Sequence, residues 1–454
     1  MQIIQTISKS LFERNDNMKY PNIIQKPVIR LLAGFLFVAA VSGGCNLLDV
    51  NNPNSLVEED LENPAAAPAL ANGAEATLTN ALGDLLAPYS TVTDELTWIG
   101  TRDGWLILNQ GGTDDPINEF VDGAYTSISE ARWTADNAIE RLESFREDGT
   151  LPSRTPLVRS YLYGAITYLA VTDAFDNFVI SDRQQAGNPL GEENLPQLIS
   201  TAIDYLDRGI ELADNGSEWE TRLLAVRARA YYAQNLWAKV NPSVDTASPL
   251  VSSSDAVADA QEVINRVGPE NDWRYEISVS PETPGNNLAF QVNERLELRI
   301  GPAFADPTSD GTRVDSVIVF DPIDNIQAPF LVNEINSFVE ADQYANLPII
   351  SARELQLIIA EDALANNNTV AFTDAINNLR NLDNLSDYTG QVDELELLKH
   401  SRKVNLFLQG RRLADLYRFQ EQSPEWTQSR VNEGEFFPIT ISEINSNPNV
   451  NFGD

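Results

Sequence analysis

A chain of 454 residues with one histidine, one cysteine and 67 acidic side chains has a short list of chemistries open to it. His400 stands alone, so a metal cluster of several histidines is excluded, and catalysis by this one imidazole is not expected. Its neighbours Lys399, Arg402 and Lys403 predict a solvated basic helix face around it. Carboxylates are abundant, as in Asp94-Glu95, Asp114-Asp115, Glu192-Glu193, Asp306 and Asp310. A glycosidase needs two acids at a set separation, but in so acidic a chain paired acids arise by chance, and the protein reads as a non-enzyme. Asp306, Asp310 and Asp315 around PTSDGTR offer oxygen ligands of the kind Ca²⁺ takes. Their spacing is not that of an EF-hand, a plain turn is the reading, and no cofactor is expected.

Aromatics outside helical stripes point to binding. A Trp or Tyr face offers flat apolar area to the C–H face of a sugar ring while its polar edge stays wet. Trp98 and Trp105 in DELTWIGTRDGW flank Arg102 and Asp103, charged groups suited to hydroxyls; Trp273, Tyr275 and Tyr344 complete the candidate set. Each has a packing alternative, since a buried aromatic is ordinarily core. Tyr231, Tyr232 and Trp237, at helical spacing, are assigned to the core.

Cys45 follows an apolar run, LLAGFLFVAAV, that is itself preceded by Lys19, Lys26 and Arg30. The run is shorter than the about 20 residues that cross a bilayer, so the layout is that of a secretory signal. Ser42, Gly43 and Gly44 before Cys45 resemble the bacterial lipobox, in which the thiol is acylated with fatty chains such as palmitate after cleavage, although Ser42 stands where Leu or Val is usual. The alternatives are an ordinary signal peptide or a buried free thiol. Met18 opens a signal of ordinary length and is the expected start, so residues 1–44 are set aside as signal and 45–62 read as a lipidated tether. The expected localisation is the outer membrane, lipid-anchored, on the cell surface, with Asn46 giving no decisive sorting signal.

A formal charge of −36 and pI near 4.2 exclude nucleic acid, whose phosphates need clustered Lys and Arg, and exclude adhesion of the protein surface to anionic lipid. Contact with a membrane is expected through the lipid anchor only. After Cys45 the lysines are Lys239, Lys399 and Lys403, an acidic and lysine-poor composition that suggests a saline habitat. With one cysteine there is no intramolecular disulfide, and stability must come from packing.

These residues sit among paired amphipathic helices. Residues 68–87 and 133–145 repeat apolar positions at three and four, and further helices are predicted at 157–175, 196–214, 220–240, 255–267, 353–365 and 370–382, with a last pair in 393–419. Residues 268–350 differ, being Pro-rich and turn-rich with short β-branched runs, and read as an insertion of strands and long loops, where binding usually resides. The fold class is mainly α, a tetratricopeptide-like helix-pair scaffold in a single domain over 63–454, interrupted by that loop- and short-strand-rich insertion. Gly410, Arg411, Arg412, Asp415 and Arg418 have helical spacings that allow Arg411–Asp415 or Asp415–Arg418 pairs. An anion site and a helix-locking salt-bridge cluster are both open there, and the structural cluster is the reading.

Three stretches resemble the C-terminal signature of the SusD/RagB family: RELQLIIAEDALANNNTVAFTDAINNLRNL (353–382), LFLQGRRLADLYRF (406–419) and FFPITISEINSNPNV (436–450). Family members carry glutamates where this chain has Ser401, Asn405 and Gln409, in a packing role, which marks a divergent branch. The resemblance implies a surface lipoprotein that captures an oligosaccharide or peptide and delivers it, as a lid, to a SusC-like TonB-dependent transporter. The rival reading, a tetratricopeptide-like lipoprotein scaffold for envelope assembly, leaves the insertion and the closing FFPITISEINSNP unexplained.

Overall fold

The computed structural model describes residues 61–182, 185–432 and 434–452. The expected signal, Cys45 and nearly all of the tether therefore lie outside the described residues. Pro68 in the first turn, where its missing N–H costs nothing, begins α1 (Ala67–Val92). After β1 (Leu96–Trp98) and the short α2 (Asp103–Asn109), Asn118 caps α3 (Glu119–Glu147) by accepting hydrogen bonds from the N–H groups of Phe120 and Val121. Val121, Tyr125, Ile128, Ala135, Ile139 and Leu142 form the buried stripe of α3, which packs on α1.

The framework continues as α4 (Thr155–Ala174), α5 (Pro196–Leu212), α6 (Glu218–Val240) and α7 (Ser254–Val267), each packed on the next. Helix α4 is buried almost all round, so its neighbours must come close. Gly164 permits this on one side, where a Cβ would meet Tyr205 at 3.0 Å, and Gly209 on α5 does the same against Leu223 at 2.8 Å. In the insertion follow β2 (Arg274–Ile277), β3 (Leu298–Ile300), β4 (Ala305–Pro307), β5 (Val314–Val317), α8 (Pro329–Glu340) and β6 (Leu347–Ser351). The chain closes with α9 (Ala352–Ala365), α10 (Thr369–Asn381), α11 (Glu394–Asn405), α12 (Arg412–Arg418) and α13 (Ile441–Ser446).

The helix pairs α4/α5, α6/α7 and α9/α10 sit where the periodicity placed them, so the scaffold is mainly α and tetratricopeptide-like. Strands occur as three antiparallel pairs, β1–β3, β2–β6 and β4–β5, with the β2–β6 register shifting between Tyr275 and Glu276. Three of these helices were not expected: α2 and α13, each too short for a periodic signal, and α8, inside the insertion, whose buried stripe is only Phe330, Leu331 and Ile335. Tyr344 leads into β6. No described helix is long and apolar enough to cross a membrane.

Candidate functional site

Two arginines tie the insertion to the helix framework. Arg353, on the first turn of α9, is 2% exposed; its Nε and Nη2 donate to the two oxygens of Asp272 at 2.9 and 2.8 Å, and Nη1 and Nη2 donate to Asp383 at 2.9 Å. Its guanidinium also lies 4.0 Å from the ring centre of Phe330 on α8. Arg380 on α10 makes a paired contact with Asp321 at 2.7 and 3.0 Å. Burial alone would push the Asp321 carboxyl up, but the hydrogen bonds from Arg380 and from the N–H of Asp324 hold it below its ordinary value.

Anchored in this way, α8 lies near β2. The sequence RYEI alternates along β2, with Tyr275 and Ile277 buried and Arg274 and Glu276 on the opposite face. Helix α8 offers Glu334, Ser337 and Phe338 at i, i+3 and i+4, one face of a helix. Arg274 Nη1 donates across the gap to Glu334 at 2.9 Å and lies 3.1 Å from Glu276. The end of α8 is pinned by Asn293, whose Nδ2 donates to the carbonyls of Phe338 and Asp342, each at 2.7 Å. Asn346 Nδ2 donates to Glu276 at 3.3 Å. Arg274, Glu276, Glu334, Phe338 and Asn346, with Tyr344, Pro348 and Phe407, line a cleft of about 370 Å³. That volume suits a small ligand, and the lining mixes aromatic area with a few convergent polar groups, as ligand sites do.

Two other concavities are less suited. One of about 480 Å³ holds Lys399, His400, Lys403 and Arg412 together with Asp94, Glu396 and Glu421. Its cations are already engaged: Lys399 with Glu396 at 3.0 Å and Glu421 at 3.3 Å, Arg412 with Asp94 at 2.8 Å and Glu421 at 3.0 Å. His400 is half-buried here, which corrects the solvated face expected for it, and burial pushes its imidazole down to about 4. The other, about 370 Å³, is walled by Asp114, Asp176, Glu192 and Glu435.

The aromatics singled out in the sequence fall in separate places. Trp105 is completely buried on α2 and stacks on Phe120 with ring centres 3.6 Å apart. Tyr275 is also buried, with the Arg222 guanidinium 4.6 Å from its ring centre. Neither ring has an open face, so the binding roles expected for Trp105 and Tyr275 are corrected to core packing. Trp98 and Trp273 are half-buried outside the cleft, the latter with its Nε1 3.4 Å from Glu218. Arg102 and Asp103 are exposed, and Arg102 pairs with Glu119 at 2.6 Å. Tyr344 alone of the set lines the cleft.

Arg274, Glu276, Glu334, Ser337 and Phe338 were missed, although the alternation of RYEI carried a signal: an inward Tyr275 requires Arg274 and Glu276 to face outward. Asp310 accepts from the hydroxyl of Thr308 and the N–H of Thr312, a turn. Among the described residues no group of three or more His, Cys, Asp or Glu side chains is placed to hold a metal ion.

The glycine-arginine segment is structural: of the two pairs the spacing allowed, Asp415–Arg418 forms, at 2.8 Å, and Arg411–Asp415 does not. Arg411 reaches Glu354 at 3.0 Å and Asp173 at 3.5 Å instead of Asp415. Asp415 accepts from Arg402 and Arg418, both at 2.8 Å, and Glu361 accepts from Arg402, Arg418 and, at 2.8 Å, the Tyr232 hydroxyl. Burial opposes charge on Asp415 and Glu361, but Arg402 and Arg418 hold both below their ordinary values. Asn405, where the resembling family carries glutamate, accepts from Arg353 at 2.9 Å.

No family model matches the sequence, and no curated protein does. Solved structures do. A SusD superfamily protein from Bacteroides vulgatus ATCC 8482 superposes with a TM-score of 0.59 at 13% identity, over 86% of this chain and 98% of its own. One from Bacteroides thetaiotaomicron VPI-5482 gives 0.60 at 15%, over 85% and 98%. The fold is SusD-like. A SusD-like carbohydrate binding protein from B. vulgatus is similar as well, with a TM-score of 0.57 at 12% identity over 86% of this chain and 97% of its own. The SusD-like likeness spans nearly the whole of each neighbour.

Proposed function

We propose that this protein is a surface nutrient-binding lipoprotein that captures an oligosaccharide and delivers it, as a lid, to a TonB-dependent outer-membrane transporter. The observation that carries the reading is the cleft between β2 and α8, where carboxylates and amides converge beside Tyr344, Phe338 and Phe407 in a SusD-like fold. Carboxylate oxygens accept from sugar hydroxyls, and aromatic surface receives the C–H faces. A structural neighbour is described as carbohydrate binding, which fits that chemistry. Acylation of Cys45 would add several fatty chains at one residue, enough for stable anchoring without a span. Binding and release suffice for such a role, and no covalent step is required.

The test is an oligosaccharide array probed with the protein from Cys45 onward, beside Ser337→Trp. Ser337 is exposed on α8 and lines the cleft, so the indole fills it without touching the core. Binding by the parent and at least tenfold weaker binding by the variant are expected. Binding of peptides alone, or equal glycan binding by both, would overturn the assignment.

A further inference from the structure

The charges in the cleft specify the kind of glycan it takes. Among its lining residues Arg274 is the one cation, and it faces two carboxylates, Glu276 and Glu334, both within 3.1 Å of the same Nη1. One guanidinium against two carboxylates leaves a negative excess. The other two nitrogens of Arg274, Nε and Nη2, are buried and out of reach of a ligand. Lys399 and Lys403 lie in the separate 480 Å³ cleft and Lys239 ends α6, so no lysine among the described residues lines this cleft to offset that excess. The remaining polar groups, Asn286, Ser337 and Asn346, are neutral.

Recognition of a uronate or sulfate requires a guanidinium or ammonium with donors to spare. Here the guanidinium holds the two carboxylates in position, and the carboxylates are the groups that face a ligand. Ionised carboxylates are acceptors, which match the O–H donors of an uncharged sugar and repel an anionic one. The distances involved are within the Debye length of roughly 8 Å at physiological ionic strength, so salt does not erase this repulsion. The acidic surface of the whole chain acts in the same direction at longer range.

Resting on the proposed glycan-binding role, we infer that the cleft selects uncharged oligosaccharides and excludes polyanionic ones, with Glu276 and Glu334 as the selecting residues and Arg274 as the group that positions them. The experiment measures binding of two probe sets to the protein from Cys45 onward: neutral β-glucan, xylan and α-glucan oligosaccharides, and oligogalacturonate. The parent is expected to bind a neutral probe and not oligogalacturonate. Glu334→Gln should weaken neutral binding about fivefold, the difference between a charged and a neutral acceptor. The double variant Glu276→Gln, Glu334→Gln leaves Arg274 as the net charge of the cleft and should gain measurable oligogalacturonate binding, with the far-ultraviolet dichroism of both variants unchanged.

Oligogalacturonate binding by the parent equal to or above that of the neutral probes, lost in Ser337→Trp, would overturn the selectivity while leaving the glycan-binding role intact. Binding of no glycan from either set would overturn both together. A double variant that folds yet still rejects oligogalacturonate would remove these two glutamates as the selecting residues.

Discussion

Glu95 shows how a single buried acid can set a pH response. It is 1% exposed, accepts from the N–H of Leu408 and sits beside Asp94, and burial pushes its carboxyl up to about 7. Because the folded value lies above the unfolded one, the native state holds the proton more tightly. The favourable contribution is complete below the unfolded pKa near 4.5 and is lost as pH rises through about 7. Glu95→Gln keeps an acceptor for Leu408 and cannot ionise. Its stability relative to the parent should rise between pH 4.5 and 8 by roughly 3 kcal/mol, read from urea denaturation at both pH values; a pH-independent difference would contradict the assignment. At this scale the sequence was only partly legible. The single His400 excluded a metal site of several histidines, whereas Trp105 and Tyr275 looked the same as exposed aromatics, because exposure is set by packing partners distant in the chain, such as Phe120 and Arg222.

Among the elements, the joint between insertion and framework matters most for the cleft. Arg353 on α9 meets Asp272 just before β2, Asp383 just after α10 and Phe330 on α8 at once. Arg353→Met should leave the half-buried Asp383 without its partner and cost about 2 kcal/mol. The expected signature is local: faster hydrogen exchange over residues 329–351, with α3 and α4 unchanged. Uniform acceleration would mean that the insertion is not held separately. The long helices were legible because an apolar stripe repeated over four or more turns leaves little room for another reading. Helix α8 was not, because its three buried residues are too few to define a period within a Pro-rich segment. The Arg411 partners were missed for a related reason: spacing within one helix cannot reveal Glu354 on another.

On the scale of the whole molecule, charge dominates. A formal net charge of −36 repels itself in the folded state, and dissolved salt relieves that repulsion. Raising NaCl from about 0.1 M to about 1 M shortens the Debye length from roughly 10 Å to roughly 3 Å. The thermal midpoint should rise by several degrees over that range, since buried pairs such as Arg418–Glu361 are screened far less than the surface. A midpoint that falls with salt would show surface ion pairs outweighing self-repulsion. The overall architecture was legible because the C-terminal signature residues Arg353, Arg380, Glu361 and Arg418 carry the ion pairs that hold the insertion and the last helices to the framework.

Capture of a nutrient for an outer-membrane barrel is tested most directly by isolating the protein from its native membrane in mild detergent and identifying what co-purifies by mass spectrometry. The expected result is a large TonB-dependent barrel in stoichiometric amount, with Cys45 recovered as an acylated N-terminus. Envelope-assembly subunits in place of such a barrel would contradict the lid mechanism and favour a scaffold.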